Sequence, residues 1–482
     1  MGEELSLFRA EFNGALRLEA REERLTGEAG SVVLREVVER LGLEQWLAGR
    51  IRDPRNPALV THPASELVRT LVLLFAQGWR DQDDADALRN DAALRLSVSD
   101  RGGVAPLLAR ESVEDERVPD GLAAQPTLSR MVGWLSTAEN RQTLRESLLF
   151  VASQRLKAAR GGHRPRAVTL DVDSLPIEVH GHQPGSAHNG HYHARVYHPL
   201  IATVAETGDL LDVQLREGQV HTAEGALSFI VGLVERAEKS LCQVASIRMD
   251  AGFPEEELLA ALESVERAYV ARVRNNQVLD RLAEPFLKRP PGRPPAEPRT
   301  WFHEMNYAAG SWSKPRRVVL VVQERPGELY LHHFWLITNW TEQQMSGEAL
   351  LELYRDRGTA EGHFGELMDV FQPALHSSPR SKSRYRGVAF EEKKAPCDAF
   401  AHNEVLLLLN ALAYNVTHAA RALLVNEVRE GFSLRRFRER VLRVPGRFIV
   451  HARRATLIVG AAAVPLWRAL WASLARLRVA EV

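Results

Sequence analysis

The chain has 482 residues, of which 45% are hydrophobic and 26% charged, and its 62 basic and 62 acidic side chains cancel. This is the composition of an ordinary soluble globular protein, too long for one simple core, with about three domains as the prior. The two cysteines, Cys242 and Cys397, exclude a disulfide framework and suit a reducing cytoplasm. The N-terminal segment lacks the basic start, apolar run and small-residue cleavage site of a signal peptide. The longest apolar runs, around 70–76 and 405–412, are too short to cross a bilayer, so no membrane association is expected.

Net charge is uninformative, but the kind and placement of charge are not. All but seven of the basic residues are Arg, the better bidentate ligand for phosphate. From Arg435 to Val482 eleven Arg face only Glu439 and Glu481, a local basic surface.

In chain order, residues 1–160 read as helical. Ser31–Leu41 is periodic, Gly42 breaks it, and Glu44–Ile51, Pro63–Gly78 and Asp83–Ser97 follow as further helices. After a polar loop at 98–121, Gln125 opens another helix with Thr127 or Ser129 as its cap. Ser129 and Arg130 would then stand exposed in its first turn, where a recognition helix carries its reading side chains. A packing helix with a polar cap is the competing reading.

The pattern changes at 164. Arg166–Asp173 alternates Val168, Leu170 and Val172 with Thr169, Asp171 and Asp173, a half-buried strand with both carboxylates on one face. Strands are expected at Ile177–His180, Tyr197–Ala205 and Leu210–Arg216. A helix over Thr222–Lys239, a strand Val244–Met249, a helix Pro254–Val265 and a strand Ala268–Val273 complete an α/β core. The Pro-rich stretch Lys288-Arg-Pro-Pro-Gly-Arg-Pro-Pro reads as a stiff linker, followed by paired strands at Arg316–Gln323 and Tyr330–Ile337. A long helix is expected from about Phe400 to Leu424.

Leu350, Leu353, Phe364 and Leu367 predict an amphipathic helix over most of 349–370. Tyr354, Arg357 and Glu361 fall at i, i+3 and i+7, stacking a phenol, a guanidinium and a carboxylate on one side. Gly358, Gly362 and Gly365 weaken the helix but allow close approach of another backbone or a nucleic acid strand. A solvated face with an i,i+4 ion pair is the bland alternative. Asp171 on the first core strand, Asp250 at the end of a later one and Glu361 on this helix could share one site, because ligands of α/β sheets gather at the carboxyl ends of strands. Three carboxylates suit Mg²⁺, and two such ions can drive an in-line phosphoryl displacement. The element order matches a ribonuclease-H-like core with an insertion before its final acidic helix.

On these residues the chain resembles the DDE transposases of bacterial insertion sequences, in the IS4-like group and closest to its IS1380 family. The resemblance is carried by Leu170-Asp-Val-Asp-Ser-Leu, His180-Gly-His-Gln-Pro-Gly, Tyr197-His-Pro-Leu with Gly208 and Leu215-Arg-Glu-Gly. It continues through Arg248-Met-Asp-Ala-Gly-Phe, Tyr354-x-x-Arg357-x-x-x-Glu361, and Asn403 with Leu412-Ala-Tyr-Asn. It implies a helical end-binding domain (1–160), a ribonuclease-H-like catalytic core in two parts (161–274 and 344–425), a β-rich insertion (275–343) and a helical basic C-terminal region (426–482). It further implies that Asp171, Asp250 and Glu361 bind catalytic Mg²⁺, with Mn²⁺ able to substitute, and that Tyr354 and Arg357 position DNA phosphates. Asp173, on the same strand face, is the backup for Asp171.

The implied partners are double-stranded DNA, as terminal inverted repeats and target, and a second copy of the chain in a cytoplasmic, nucleoid-bound dimer. The implied activity is DNA cleavage and strand transfer. Its rivals are a catalytically decayed, sequence-specific DNA-binding relic and a nuclease that cuts without joining. One departure stands out: the family motif continues to a Lys two turns past the Glu, where this chain has Met368.

Further DNA-binding candidates are Arg293 in the Pro-rich segment, Arg380, Lys382 and Arg384 in a basic loop, and Arg435 and Arg436 in the tail. His180, His182, His188, His191, His193 and His198 invite a zinc reading, but with no Cys nearby and no HExxH motif a polar loop near DNA is preferred. Trp301, Trp312, Trp335 and Trp340 could stack on an extruded base, although core packing explains them more cheaply.

Overall fold

The computed structural model describes residues 3–4, 11–16, 19–20, 23–108, 121–190, 192–293, 296–377, 398–428 and 431–477. Arg380, Lys382, Arg384, His191, Pro294, Pro295 and Cys397 therefore lie outside the described residues. The chain divides into two compact units. One combines Met1–Arg40, Asp53–Met131 and Ala419–Leu477, and the other is built on Leu41–Arg52 and Val132–His418.

The second unit is organised by one mixed sheet. Its strands are β1 (Ala167–Ser174), β2 (Leu200–Val204), β3 (Leu210–Gln214), β4 (Gln243–Met249), β5 (Ala268–Val273), β6 (Arg299–Tyr307), β7 (Arg316–Glu324) and β8 (His332–Thr338). They lie in the order β6-β7-β8-β5-β4-β1-β2-β3. β1, β2 and β3 form an antiparallel meander, whereas β4 and β5 run parallel to β1. Parallel neighbours need crossover connections. Helix Ala226–Ser240 supplies one between β3 and β4, and helix Glu256–Ser264 the other between β4 and β5.

The alternation that predicts β1 is realised. Val168, Leu170 and Val172 point into a core with Phe229, Ile230 and Leu233 of the first crossover helix and Leu258, Leu259 and Leu262 of the second. That core runs on without interruption into Val318, Leu320, Val322, Trp335 and Ile337. The stretch expected as a β-rich insertion thus extends the main sheet, because β8 pairs antiparallel with β5 from Val270↔Thr338 to Val273↔Trp335. It also contributes a strand that the sequence reading lacked, β6. The four Trp side chains pack inward: Trp335 is fully buried, Trp301 and Trp312 lie against the same core, and Trp340 packs on the opposite sheet face.

That opposite face is covered by α1 (Gly347–Arg355), whose Leu350 and Leu351 meet Val270, Val319, Val321 and Leu336. After Asp356 the chain continues as α2 (Arg357–Phe371), so the single helix expected over 349–370 is two. α3 (Ala399–Ala422) follows and carries buried polar residues that explain its motif. Asn415 bonds the backbone of β3 at Leu210 N (3.0 Å) and Leu210 O (2.7 Å), Tyr414 Oη donates to Gly208 O, and Asn403 donates to Tyr197 Oη and Ser377 O. The expected strand Tyr197–Ala205 is interrupted at His198-Pro199. Its first part, Ala194–Tyr197, joins Ile177–Glu178 and Ala187–Asn189 in a small separate sheet, since Pro199 cannot donate to a ladder.

In the first unit the helices Ser31–Leu41, Ala64–Gln77 and Ala92–Val98 form as expected, with Gly78 closing the second in a left-handed conformation (φ 97°). The all-helical expectation for residues 1–160 and for the C-terminal region needs correcting. Arg24–Thr26 is a strand that pairs with Gly446–His451, which forms a hairpin with Arg454–Val459. Phe448 points into the core beside Ala92, Ala93 and Leu107, while Arg447 and Ile449 face out. Helix Gln125–Leu135 begins two residues before Thr127, so Thr127 and Ser129 are not its caps, and Ser129 and Arg130 stand exposed in its second turn. Among the described residues no helix is long and apolar enough to cross a membrane.

Candidate active site at the carboxyl ends of β1 and β4

Strand register decides which acids can meet. β1 and β4 pair in parallel with Asp171 opposite Arg248 and Val172 opposite Met249. Directly opposed residues share a sheet face, and Arg248 grips Asp171 with both ends of its fork, Nε to Oδ1 at 2.5 Å and Nη2 to Oδ2 at 2.6 Å. Both side chains are buried, at 2% and 1% exposure. The third arm of Arg248, Nη1, donates to Leu353 O in α1 (2.8 Å). Burial raises the Asp171 pKa against the pull of Arg248. Both oxygens of this carboxylate accept from one guanidinium.

The pairing of β1 with β4 ends at Val172 opposite Met249, and Asp173 and Asp250 are the next residues along each chain. Arg357, the first residue of α2, donates from Nη2 to Asp173 Oδ2 (2.6 Å) and from Nη1 to Glu361 Oε1 (3.0 Å). Its guanidinium therefore ties the end of β1 to the acidic helix. Asp173 is pushed up to about 6, first by burial and then by the neighbouring charges of Asp250 and Glu361, with Arg357 opposing. Asp171, by contrast, feels Arg248, Arg357 and Glu206. Asp173 thus lies within electrostatic reach of Asp250 and Glu361, while Asp171 is bound to Arg248.

Tyr354 of α1 is half-buried, and burial raises its pKa, with Arg357, Asp250 and Glu361 all acting on it. The column of Tyr354, Arg357 and Glu361 expected from spacing survives the helix break at Asp356. Among the described residues an added Cβ at Gly358, Gly362 or Gly365 would meet nothing, so there these glycines leave an open flank rather than serve internal packing. Met368, where the resemblance implies Lys, is half-buried on the same helix.

Two side chains at this surface escaped the sequence reading. Tyr192 is raised first by burial and then by Asp173 and Asp250, and its ring meets His198 edge-on at 6.2 Å. Arg272 projects from β5 over the ring of Phe334 (5.2 Å) and acts electrostatically on Tyr354. The histidine spacing around Tyr192 was the only available signal for the first, and nothing local marked the second.

The donor chemistry suits a divalent cation. Three carboxylates offer hard oxygens, and Asp173 is raised chiefly by burial, with the charges of Asp250 and Glu361 adding to it. Among the described residues, however, no three His, Cys, Asp or Glu side chains converge closely enough to hold a metal ion. Among the described histidines of that group, His180, His182, His188 and His193 are exposed, whereas His198 is buried and its pKa lowered by that burial.

The more distant candidates are scattered. Arg293 is exposed beside Gly292. In the tail Arg435 and Arg436 are exposed, while Arg438 turns inward to the carbonyls of Phe75 and Ala76, and burial lowers its pKa to about 10.

A mixed α/β fold with acidic side chains at the carboxyl ends of its strands defines a class, and the comparisons supply the family. Residues 8–381 match the family described as Transposase DDE domain, group 1, and the chain belongs to that family. Its members generally use divalent metal ions. Among solved structures, the piggyBac transposase in a synaptic complex with hairpin DNA is similar at a TM-score of 0.40 and 14% identity, over 85% of this chain and 76% of that one. No curated protein matches the chain.

Proposed function

We propose that the chain is a DNA transposase with a ribonuclease-H-like core, cutting and joining transposon ends with Asp173, Asp250 and Glu361 as its catalytic carboxylates. What supports the reading is the guanidinium of Arg357, which joins Asp173 to Glu361, together with the β1–β4 pairing, whose last pair, Val172 and Met249, immediately precedes Asp173 and Asp250. Asp171, the first choice from sequence, becomes the counter-ion of Arg248. Placement in the IS1380 family rests on the motif order alone.

When bound by these carboxylates, Mg²⁺ or Mn²⁺ would lower the pKa of an attacking water or 3′-hydroxyl and stabilise the leaving oxygen. The chain's own groups do the rest. Asp173 must be ionised to act as a ligand, and its raised pKa makes metal binding favour higher pH. Tyr354 and Arg357 would hold the phosphate, with Arg272 supplying positive charge that the missing Lys does not. The glycine flank of α2 would admit the strand. Ser129, Arg130, Arg435 and Arg436 in the first unit would contact the terminal repeat, and Arg293, Arg380, Lys382 and Arg384 the flanking backbone. A dimer would bridge two ends.

The test is a cleavage assay with purified protein, Mg²⁺ and a duplex carrying the element's own end. A 3′-hydroxyl nick at the boundary is expected, and its loss in Glu361→Gln and Asp173→Asn. Binding without cleavage in the wild type would make the protein a DNA-binding relic. A nick retained by Asp173→Asn would return the role to Asp171.

A further inference from the structure

The side chain the catalytic reading leaves least explained is Arg357. It is buried, yet its two hydrogen-bonding partners are both carboxylates of the candidate site, one on β1 and one on its own helix. A phosphate-positioning residue would be expected to present its donors to the open side of the site. Here two of the five donors are committed to Asp173 Oδ2 and Glu361 Oε1, at distances typical of charge-assisted bonds. Those are oxygens a divalent cation would need. A metal and this guanidinium compete for the same lone pairs.

Two further features give the residue somewhere to go. Arg357 is the first residue after the break between α1 and α2 at Asp356, so its backbone is at a helix junction rather than within a rigid rod. The residue that follows is Gly358, whose surroundings are open. A phosphate approaching along the glycine flank offers the guanidinium a bidentate partner of its own.

We propose that Arg357 is an internal counter-cation of the DNA-free site, blocking metal binding until a DNA phosphate draws it off the carboxylates. The proposal rests on the catalytic reading above, in that Asp173, Asp250 and Glu361 are taken as the metal-binding acids. Its consequence is an order of events. Without DNA the acid cluster is neutralised by Arg357, and metal binds weakly. With DNA the guanidinium exchanges partners, the carboxylates repel one another, and metal affinity rises. By linkage, metal raises DNA affinity by the same factor. The enzyme would thus be armed only on its substrate.

The experiment measures Mn²⁺ binding to the full chain by the loss of the free-ion electron paramagnetic resonance signal, with and without a generic 30-base-pair duplex. Asp250→Asn measured in parallel accounts for Mn²⁺ held by the DNA itself. Wild type without DNA is expected to bind weakly and to gain at least tenfold in affinity with the duplex. Arg357→Gln is expected to bind at least tenfold more tightly than wild type without DNA, and to gain little from the duplex. Equal or weaker Mn²⁺ binding by Arg357→Gln in the absence of DNA would overturn the proposal. If that variant fails to fold, the wild-type comparison decides alone, and no DNA-dependent gain beyond the Asp250→Asn control overturns it. Loss of the catalytic reading has its own signature: Asp250→Asn and Arg357→Gln/Asp250→Asn would bind Mn²⁺ as tightly as their Asp250 parents. If Asp250→Asn abolishes binding while Arg357→Gln leaves it unchanged, the acids stand as metal ligands and only the counter-cation role falls.

Discussion

Asp171 and Asp173 sit two residues apart on one strand face, and their partners give them different fates. Removing one member of a buried ion pair strands the other, at a cost of about 3–5 kcal/mol. Asp171→Asn leaves Arg248 with only the exposed Asp356 carboxylate at 4.0 Å as a counter-ion, so it should lower stability towards that scale, visible as an earlier denaturant midpoint, whatever it does to catalysis. Asp173 is already held up near 6 by burial and by its acidic neighbours. Asp173→Asn removes that costly buried charge but also one of the two partners of Arg357, which keeps Glu361; with the two effects offsetting, the variant should unfold close to wild type at neutral pH while abolishing cleavage. A second buried acid makes a pH prediction. Glu28 in the first unit is raised from 4.5 to about 7, chiefly by burial, with Arg443 opposing. Because the folded pKa is raised, the stabilising contribution is complete below pH 4.5 and is lost as the pH climbs through 7. Glu28→Gln should remove that decline, adding up to about 3 kcal/mol at pH 8 and almost nothing at pH 4, as read from thermal melts across the range.

The same pair of aspartates marks the limit of legibility in the sequence. Alternation along β1 was readable because it is local, and it placed both carboxylates on the face opposite Val168, Leu170 and Val172. The proposed choice between them rests on a bond between residues 77 positions apart, Asp171 and Arg248, which periodicity does not encode. Tyr192 and Arg272 escaped for the same reason, since neither belongs to a local pattern and each meets the site through the fold.

At the scale of elements, the helices that dock on the sheet use a few polar anchors rather than apolar stripes alone. Asn415 is fully buried and satisfies Leu210 N, Leu210 O and, at 3.2 Å, Leu148 O. Asn415→Ala would leave these backbone groups unpaired, each at about 1–3 kcal/mol. A loss of roughly 3 kcal/mol in unfolding free energy is expected, and Asn415→Leu should not recover it despite its similar volume. Gly208 is the companion anchor. It turns β2 into β3 at φ 75°, and a Cβ there would stand 2.6 Å from the His363 ring on α2. The sequence marked Gly208 and Asn415 as motif residues but gave no hint that both serve the seating of helices. The extension of the sheet by β6, β7 and β8 was equally hidden. The Pro-rich stretch before β6 suggested a boundary, while the antiparallel join of β8 to β5 is again a long-range pairing.

At the scale of the molecule, the first unit is assembled from both ends of the chain. Gly30 packs against the backbone of Leu442 so closely that a Cβ would fall 2.2 Å from its Cα, and the Ala29 and Gly30 amides donate to Val444 O and Leu442 O. Trp467 Nε1 closes the same region on Val441 O. A chain ending at Thr417 should therefore lose the N-terminal helices as folded structure even though every residue of them remains. The expected result is rapid proteolysis of residues 23–108 in the truncated protein, with protection in the full chain. Equal protection in both would show that the N-terminal helices are self-sufficient.

The strand Arg24–Thr26 and the hairpin that completes it also set a clock. Glu23 and Arg447, which form an ion pair across that sheet, are 424 residues apart. At the usual pace of a ribosome the second partner emerges roughly 20–80 s after the first. Through that interval the apolar faces of Ser31–Leu41 and Ala64–Gln77 have no partner from the far end of the chain, which makes the nascent protein a ready client for chaperones. A premature stop or frameshift anywhere upstream of the hairpin would leave that surface permanently uncovered, so damaged copies of this gene should be cleared as protein rather than persist as competitors for the intact product.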